Sequence, residues 1–364
     1  MALFTPSQSP AVVVKEIDAT GGVPNVQTST GAIVGNFRWG PVGQRVLISN
    51  EADLIDQFST PDTTSTIDFH NASYFLRYSN SLQVVRQATS AAKNAHSTTY
   101  KTDGRGPGAV GYAVQAINNK NVFDANTSLD SDGHTFIGRF PGALGNGLRV
   151  SICPANSTAF SGWDYASAFD GAPGSSALDS NAGGTGTELH LAVIDQNGEF
   201  TGTKGTVLEA YPYVSAATNS VLADGSTNFV KNVVNERSKY IYMVNFDSDY
   251  TAANAGTAMT PGTQKTYISG LTTHVHYDFD SGANSAALGT AEIATGHDLF
   301  EDEEAVEVDF LIAPGMSSRA DQTTVTNDLV ANAIARKDCI AVSSPARSDV
   351  VNVTNEATAT TNIV

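Results

Sequence analysis

Val306-Glu307-Val308-Asp309-Phe310-Leu311-Ile312-Ala313-Pro314 is followed by an apolar stripe at helical spacing and then by Cys339-Ile340-Ala341-Val342. The first stretch alternates and then turns fully apolar, as a strand buried on both faces does. Between 322 and 336, Val325, Leu329 and Ala333 recur on one helix face, with Val330 and Ile334 alongside. Strand, helix and strand in that order make a β-α-β unit, which predicts parallel strands joined by a right-handed crossover. A short acidic helix is expected just before it, over 297–304.

The N-terminal third carries a second regular block. Ala32-Ile33-Val34-Gly35 reads as a buried strand closed by Trp39-Gly40-Pro41, and Arg45-Val46-Leu47-Ile48 as another. Asn50 is placed to cap a short helix, with Asp53 at its third position, and Pro61 stops that helix. A second helix is expected over 66–78, and Leu82-Gln83-Val84-Val85-Arg86 is a strand. The order β-β-α-α-β suggests an α/β arrangement with a partly parallel sheet.

Between these blocks the pattern is looser. Residues 88–135 and 155–187 are rich in Ala, Ser, Asn and Gly. A hairpin is expected over 188–214, turning at Asp195-Gln196-Asn197-Gly198, because an Asn-Gly pair accepts the positive φ angles of a tight turn. A helix over 228–237 and a strand over 240–244 follow. Each regular block alone is an incomplete sheet whose apolar strands need cover. The expectation is therefore a mixed α/β (α+β) fold. Residues 23–92 plus 188–345 would form one discontinuous α/β domain with a mixed sheet, 93–187 an inserted loop-rich β lobe, and 1–22 an extended arm.

The chain has 364 residues, 41% hydrophobic and only 16% charged, with a net charge of -17. That excess is spread out apart from Glu301-Asp302-Glu303-Glu304. An acidic field repels phosphate backbones and anionic bilayers, so neither nucleic acid nor membrane is an expected partner. The start, Met1-Ala2-Leu3-Phe4-Thr5-Pro6, lacks the basic and apolar regions of a secretory leader. No run of about 18 apolar residues is long enough to span a membrane. The two cysteines, Cys153 and Cys339, sit in apolar surroundings, where buried free thiols are the rule.

The chain carries few signs of chemistry. No G-x-G-x-x-G follows the first buried strand, Gly202-Thr203-Lys204-Gly205 lacks phosphate-loop spacing, and no G-x-S-x-G elbow occurs. The best metal candidate is His274-Val275-His276, with Asp278 and Asp280 close behind. Alternate strand residues face one side, so two imidazoles could share an ion, but no third or fourth ligand is indicated. Solvent-facing polar residues on an edge strand are the favoured reading there. A solvated helix face is the reading for 301–304, and a loop for 183–187. No catalytic, cofactor or metal residue is assigned, and no enzyme activity is expected.

Several blocks occur in a fixed order: Gly35-Asn36-Phe37-Arg38-Trp39-Gly40-Pro41, then Asn50-Glu51-Ala52-Asp53-Leu54, then Tyr74-Phe75-Leu76-Arg77-Tyr78, then Leu82-Gln83-Val84-Val85-Arg86. Pro141-Gly142-Ala143-Leu144-Gly145-Asn146 and the run Arg336 through Ser344-Pro345 come later. Together these resemble the tail sheath proteins of contractile-tailed bacteriophages, over about 30–90, 138–153, 188–245 and 297–350. The family turn motif is Trp39, Gly40 and Pro41. The resemblance implies a structural subunit that polymerises helically around a tail tube and contracts to drive the tube through the host envelope. It implies neighbouring sheath subunits, tail tube and baseplate proteins as partners, no cofactor, and a place in the virion after assembly in the host bacterial cytoplasm. It also implies an inter-subunit strand-exchange arm, for which Val12, Val13, Val14, Lys15, Glu16 and Ile17 have the β-rich character. Family members continue into a further C-terminal domain. Residues 346–364 are thus expected to begin a domain that is absent, leaving this chain a monomer or weakly associated while its full-length parent is a homo-oligomer. The competing reading is a secreted adhesin or surface-layer protein, which shares the acidic, cysteine-poor, Thr/Ala/Gly-rich profile but would carry a leader.

Overall fold

The computed structural model describes residues 29–97, 116–125, 136–155, 157–174, 188–216, 220–244 and 274–363. In chain order the first elements are β1 (Gly31–Gly35), β2 (Arg45–Ile48), α1 (Glu51–Phe58), α2 (Thr66–Leu76), β3 (Leu82–Arg86), β4 (Asn94–Ser97), α3 (Lys120–Ala125), β5 (Phe136–Pro141), β6 (Leu148–Pro154) and α4 (Ser157–Ser161). They are followed by β7 (Glu188–Asp195), β8 (Thr206–Ser215), α5 (Val230–Arg237), β9 (Ile241–Met243), β10 (Val275–Asp280), α6 (Thr290–His297), β11 (Phe310–Ile312), α7 (Arg319–Arg336), β12 (Ile340–Val342), α8 (Arg347–Val350) and α9 (Glu356–Ile363).

Two sheets result, a five-stranded one in the order β12-β11-β1-β3-β2 and a seven-stranded one in the order β8-β7-β6-β10-β4-β5-β9. The fold is mixed α and β, as expected. In the first sheet β1 pairs in parallel with both β11 and β3, β12 continues in parallel, and only β2 is antiparallel. A central parallel strand is buried on both faces, which explains why all five residues of Gly-Ala-Ile-Val-Gly are buried. Ala32 and Val34 point into one core with Leu311, Val325 and Leu329, under α6 and α7. Ile33 points into the opposite core with Leu54, Phe58, Phe69 and Val84, under α1 and α2.

The helices begin where the sequence places their caps. The Asn50 side chain accepts from the Asp53 N–H at 2.9 Å, and Ser318 accepts from the Asp321 N–H at 3.1 Å to start α7. Lys337, at φ 67°, ends α7 in the left-handed region, and β12 follows.

The strand pairing corrects the expected division of the chain. The strands of 188–243 and β10 do not return to the first sheet. They join β4, β5 and β6 in the second, so the return begins only near α6. The reason is that β7 is apolar on both faces: Leu189, Leu191 and Val193 enter one core, and Ala192 and Ile194 another. A strand of that kind reads identically whichever sheet receives it. Residues 93–187, expected to be less regular, supply three interior strands of the second sheet. The acidic helix expected over 297–304 lies earlier, as α6 with a short 3-10 turn at Asp298–Phe300. Residues 346–364, expected to be the start of a further domain, carry α8 and α9. The hairpin of β7 and β8 forms, its strands joined by a ten-residue loop. The buried Asp195 carboxylate organises that loop by accepting the N–H groups of Glu199, Phe200 and Thr201 at 2.8–3.0 Å.

Candidate interaction surfaces

The Trp39-Gly40-Pro41 turn leaves the first sheet and enters the core of the second. Trp39 is buried there with Phe136, Leu144 and Leu148. The rings of Phe140 and Phe200 stand edge-on to it at 5.5 and 5.3 Å. Gly40 has φ 97°, and a Cβ at that position would lie 2.7 Å from the Phe58 ring and 2.8 Å from the Gln57 carbonyl, so glycine is required on both counts. The Trp39 N–H donates to the carbonyl of Phe58 at 3.1 Å, which ties the turn to the end of α1.

Arg86, the last residue of β3, lies beneath this turn and is 1% exposed. Its Nε donates to the Phe37 carbonyl at 2.7 Å, Nη1 to the Gly40 carbonyl at 2.6 Å and Nη2 to the Pro141 carbonyl at 2.6 Å. One guanidinium thus holds the end of the first sheet, the turn, and the end of β5 in the second sheet. Its planar fork of five donors suits three fixed carbonyls as no other side chain does. Burial pulls its pKa down to about 9, still far above neutrality, so it remains charged. On the surface of the same junction Arg38 pairs with Glu199, and Lys239 with Asp56 at 3.1 Å. The sequence pattern quoted Arg86 within Val-Val-Arg and gave it no role. The signal was an arginine closing a wholly apolar strand in a chain poor in charge.

The first sheet presents an unfinished side. The outer edge of β12 pairs with no strand among the described residues. In the register of β11 and β12, Ile340 and Val342 lie beside Phe310 and Ile312, on the face that α1 and α2 cover over β1 and β3. Those helices stop short of β12, leaving Ile340 61% and Val342 46% exposed. An apolar sheet face with an open edge is a surface that accepts another strand or helix.

The residues of the expected arm, Val12 to Ile17, lie outside the described residues, as does 183–187. His274 and His276 are not on an edge strand. β10 runs between β6 and β4 inside the seven-stranded sheet, which corrects the edge-strand reading, and the imidazoles are half-buried on the face whose Asp278 and Asp280 are exposed.

Nothing in the described residues assembles a nucleophile. Burial pushes the Cys153 thiol up to about 12 and raises that of Cys339, so neither is a thiolate at neutral pH. The buried His190 is committed through both nitrogens: Nε2 faces the Gly171 carbonyl at 2.7 Å, and Nδ1 receives the Tyr213 N–H at 3.0 Å. His297 pairs with Asp328 at 2.7 Å between α6 and α7, where no hydroxyl or thiol of the kind a triad needs is hydrogen-bonded to it. A crevice of about 470 Å³ opens at the C-terminal ends of β1 and β11, lined by Asp68, Ile67, Gly315 and Arg347. Asp68 is held there by the Asn36 N–H at 2.8 Å, and burial raises its carboxyl to about 6. No described helix is long and apolar enough to cross a membrane.

The chain matches no family model. It is 32% identical over 208 residues to the tail sheath protein of Salmonella phage ViI, which is 57% of this chain and 29% of that protein. It is 25% identical to the tail sheath protein of Enterobacteria phage T4, over 95% of this chain and 63% of that protein. The tail sheath protein of Vibrio phage KVP40 is 30% identical over 30% of this chain and 15% of its own length. The chain therefore spans less than two thirds of each of these relatives. Among solved structures, sheath tail proteins of Listeria innocua and Desulfitobacterium hafniense align at TM-scores of 0.42 and 0.41, with 10% and 11% identity. They cover 83% and 92% of this chain, and the aligned parts are 44% and 56% of those chains. The resemblance to phage tail sheath proteins read from the motifs is thus borne out in sequence.

Proposed function

We propose that this chain is a structural subunit of the contractile tail sheath of a bacteriophage. The observation that carries the reading is the sequence similarity to the T4 tail sheath protein along 95% of the chain. The physical build supports it. A sheath subunit has to move as a rigid body through a large rearrangement of its neighbours. Here a buried arginine and a buried tryptophan lock the two sheets together.

In this role the subunit packs against other sheath subunits around a tail tube, meets the baseplate at one end, and is assembled in the host cytoplasm. Val12 to Ile17 serve as the strand-exchange arm, adding main-chain hydrogen bonds to a neighbour's open sheet edge. The molecule performs no catalysis; its work is mechanical. Nothing in the comparisons favours an adhesin or surface-layer protein.

Immunogold electron microscopy of the virions that carry this protein tests the proposal. Antibody raised against the chain is expected to decorate the tail along its length, over a long span before contraction and a short one after. Label confined to fibres, capsid or host surface overturns it.

A further inference from the structure

We infer that His274 and His276 form a binding site for one divalent transition-metal ion of the Zn²⁺, Ni²⁺ or Cu²⁺ class. They flank Val275 at the start of β10, so both side chains leave the same face of the seven-stranded sheet. Their ring centroids are 5.0 Å apart, with the planes inclined at 53°. With metal–nitrogen bonds of about 2.0 Å and a ring nitrogen about 1.1 Å from its centroid, tetrahedral ligation separates two imidazole centroids by about 5.1 Å. The rings already stand at the separation that a shared ion requires.

The surroundings point the same way. Nδ1 of both residues is buried and has no hydrogen-bond partner among the described residues. Ser151, opposite His276 on β6, accepts from Trp163 Nε1 at 2.7 Å. Asp278, next on the same face, is held by two nitrogens of Arg149 at 2.5 and 3.1 Å. Two buried basic nitrogens left unpaired side by side carry a penalty that an ion between the rings removes. Imidazole donors select the borderline metals over Mg²⁺ or Ca²⁺. No group of three candidate ligands is preformed among the described residues, so water fills the remaining positions and the affinity is that of a two-imidazole chelate.

The test is calorimetric titration of the whole chain, without a polyhistidine tag, with ZnCl₂ and NiCl₂ near neutral pH. One ion per chain is expected, with a rise in the thermal midpoint. His274→Gln and His276→Gln should each weaken binding at least ten-fold and abolish the rise, while His70→Gln, on an exposed ring, should change neither. If one substitution lowers the metal-free midpoint, the other carries the test. Absence of saturable uptake, or uptake unchanged in the double variant, overturns the inference.

Discussion

Replacing Arg86 with methionine removes the guanidinium while keeping an unbranched stem of similar length. Three carbonyls, those of Phe37, Gly40 and Pro141, lose donors at 2.6–2.7 Å in the interior. Each unsatisfied buried carbonyl costs roughly 1–3 kcal/mol, while removing a buried ion recovers several kcal/mol of desolvation. The net expectation is a loss of about 3–5 kcal/mol, as for other buried charges removed from their partners. The loss falls on the joint rather than on either sheet. The two tryptophans report on this separately, because Trp39 lies at the joint and Trp163 packs on the far face of the second sheet. Urea unfolding followed by fluorescence in Trp39→Phe and Trp163→Phe backgrounds therefore reads the two regions one at a time. In the parent the two signals should change together. In Arg86→Met the Trp39 signal should move to lower urea by roughly 1.5–2.5 M, for a slope of about 2 kcal/mol/M, and separate from that of Trp163. Arg86→Lys should rescue little, since one ammonium cannot span three fixed acceptors. Coincident transitions within about 1 kcal/mol of the parent would refute the idea that this residue couples the sheets.

Three further outcomes are expected. Asp68, raised from 3.8 to about 6 mainly by burial, binds a proton more tightly folded than unfolded; its contribution is full below the unfolded value and lost as pH rises through about 6. Asp68→Asn should therefore be more stable than the parent above pH 7, by up to about 3 kcal/mol, with the gap closing toward pH 4 in urea titrations. His190 has the opposite sign: burial lowers its pKa, so stability is present above the ordinary histidine value and is lost as pH falls through the folded one. His190→Gln should show a shallower acid limb in thermal melts. Ile340→Asp with Val342→Lys, on the exposed half-face of β12, should change chain stability by no more than about 0.5 kcal/mol. The same pair should abolish assembly into tails if that face is a contact, as complementation of a phage lacking the gene would reveal.

Much of the first sheet was legible because buried parallel strands appear as uninterrupted apolar runs and helices advertise their caps. Gly31–Gly35, Asn50 and the β11-α7-β12 unit lie where their residues place them. Which sheet a strand joins was not legible, since alternation gives a strand its faces but not its partners. β4 shows a second limit. Asn94-Ala95-His96-Ser97 looks like loop, yet all four residues are buried. Asn94 is satisfied by the backbone of Ile117, on both its N–H and its carbonyl, and by the Gly138 carbonyl. Such compensation comes from segments distant in the chain, which no local pattern records. Arg86 and the histidine pair belong to the same class, for their meaning lies in the groups that surround them.

The same long-range pairing governs how the molecule comes into being. The early strands β1, β2 and β3 can close with α1 and α2 over one face as soon as they are made. Their other face, carrying Ala32, Val34 and Val85, is covered among the described residues by α6, α7 and the segment between them, which begin roughly 200 residues later. At synthesis rates of about 5–20 residues per second that face stays bare for roughly 10–40 s. The nascent chain thus passes through an adhesive adolescence in which a chaperone, or simple dilution on the ribosome, has to keep two copies apart until the sequence supplies its own lid.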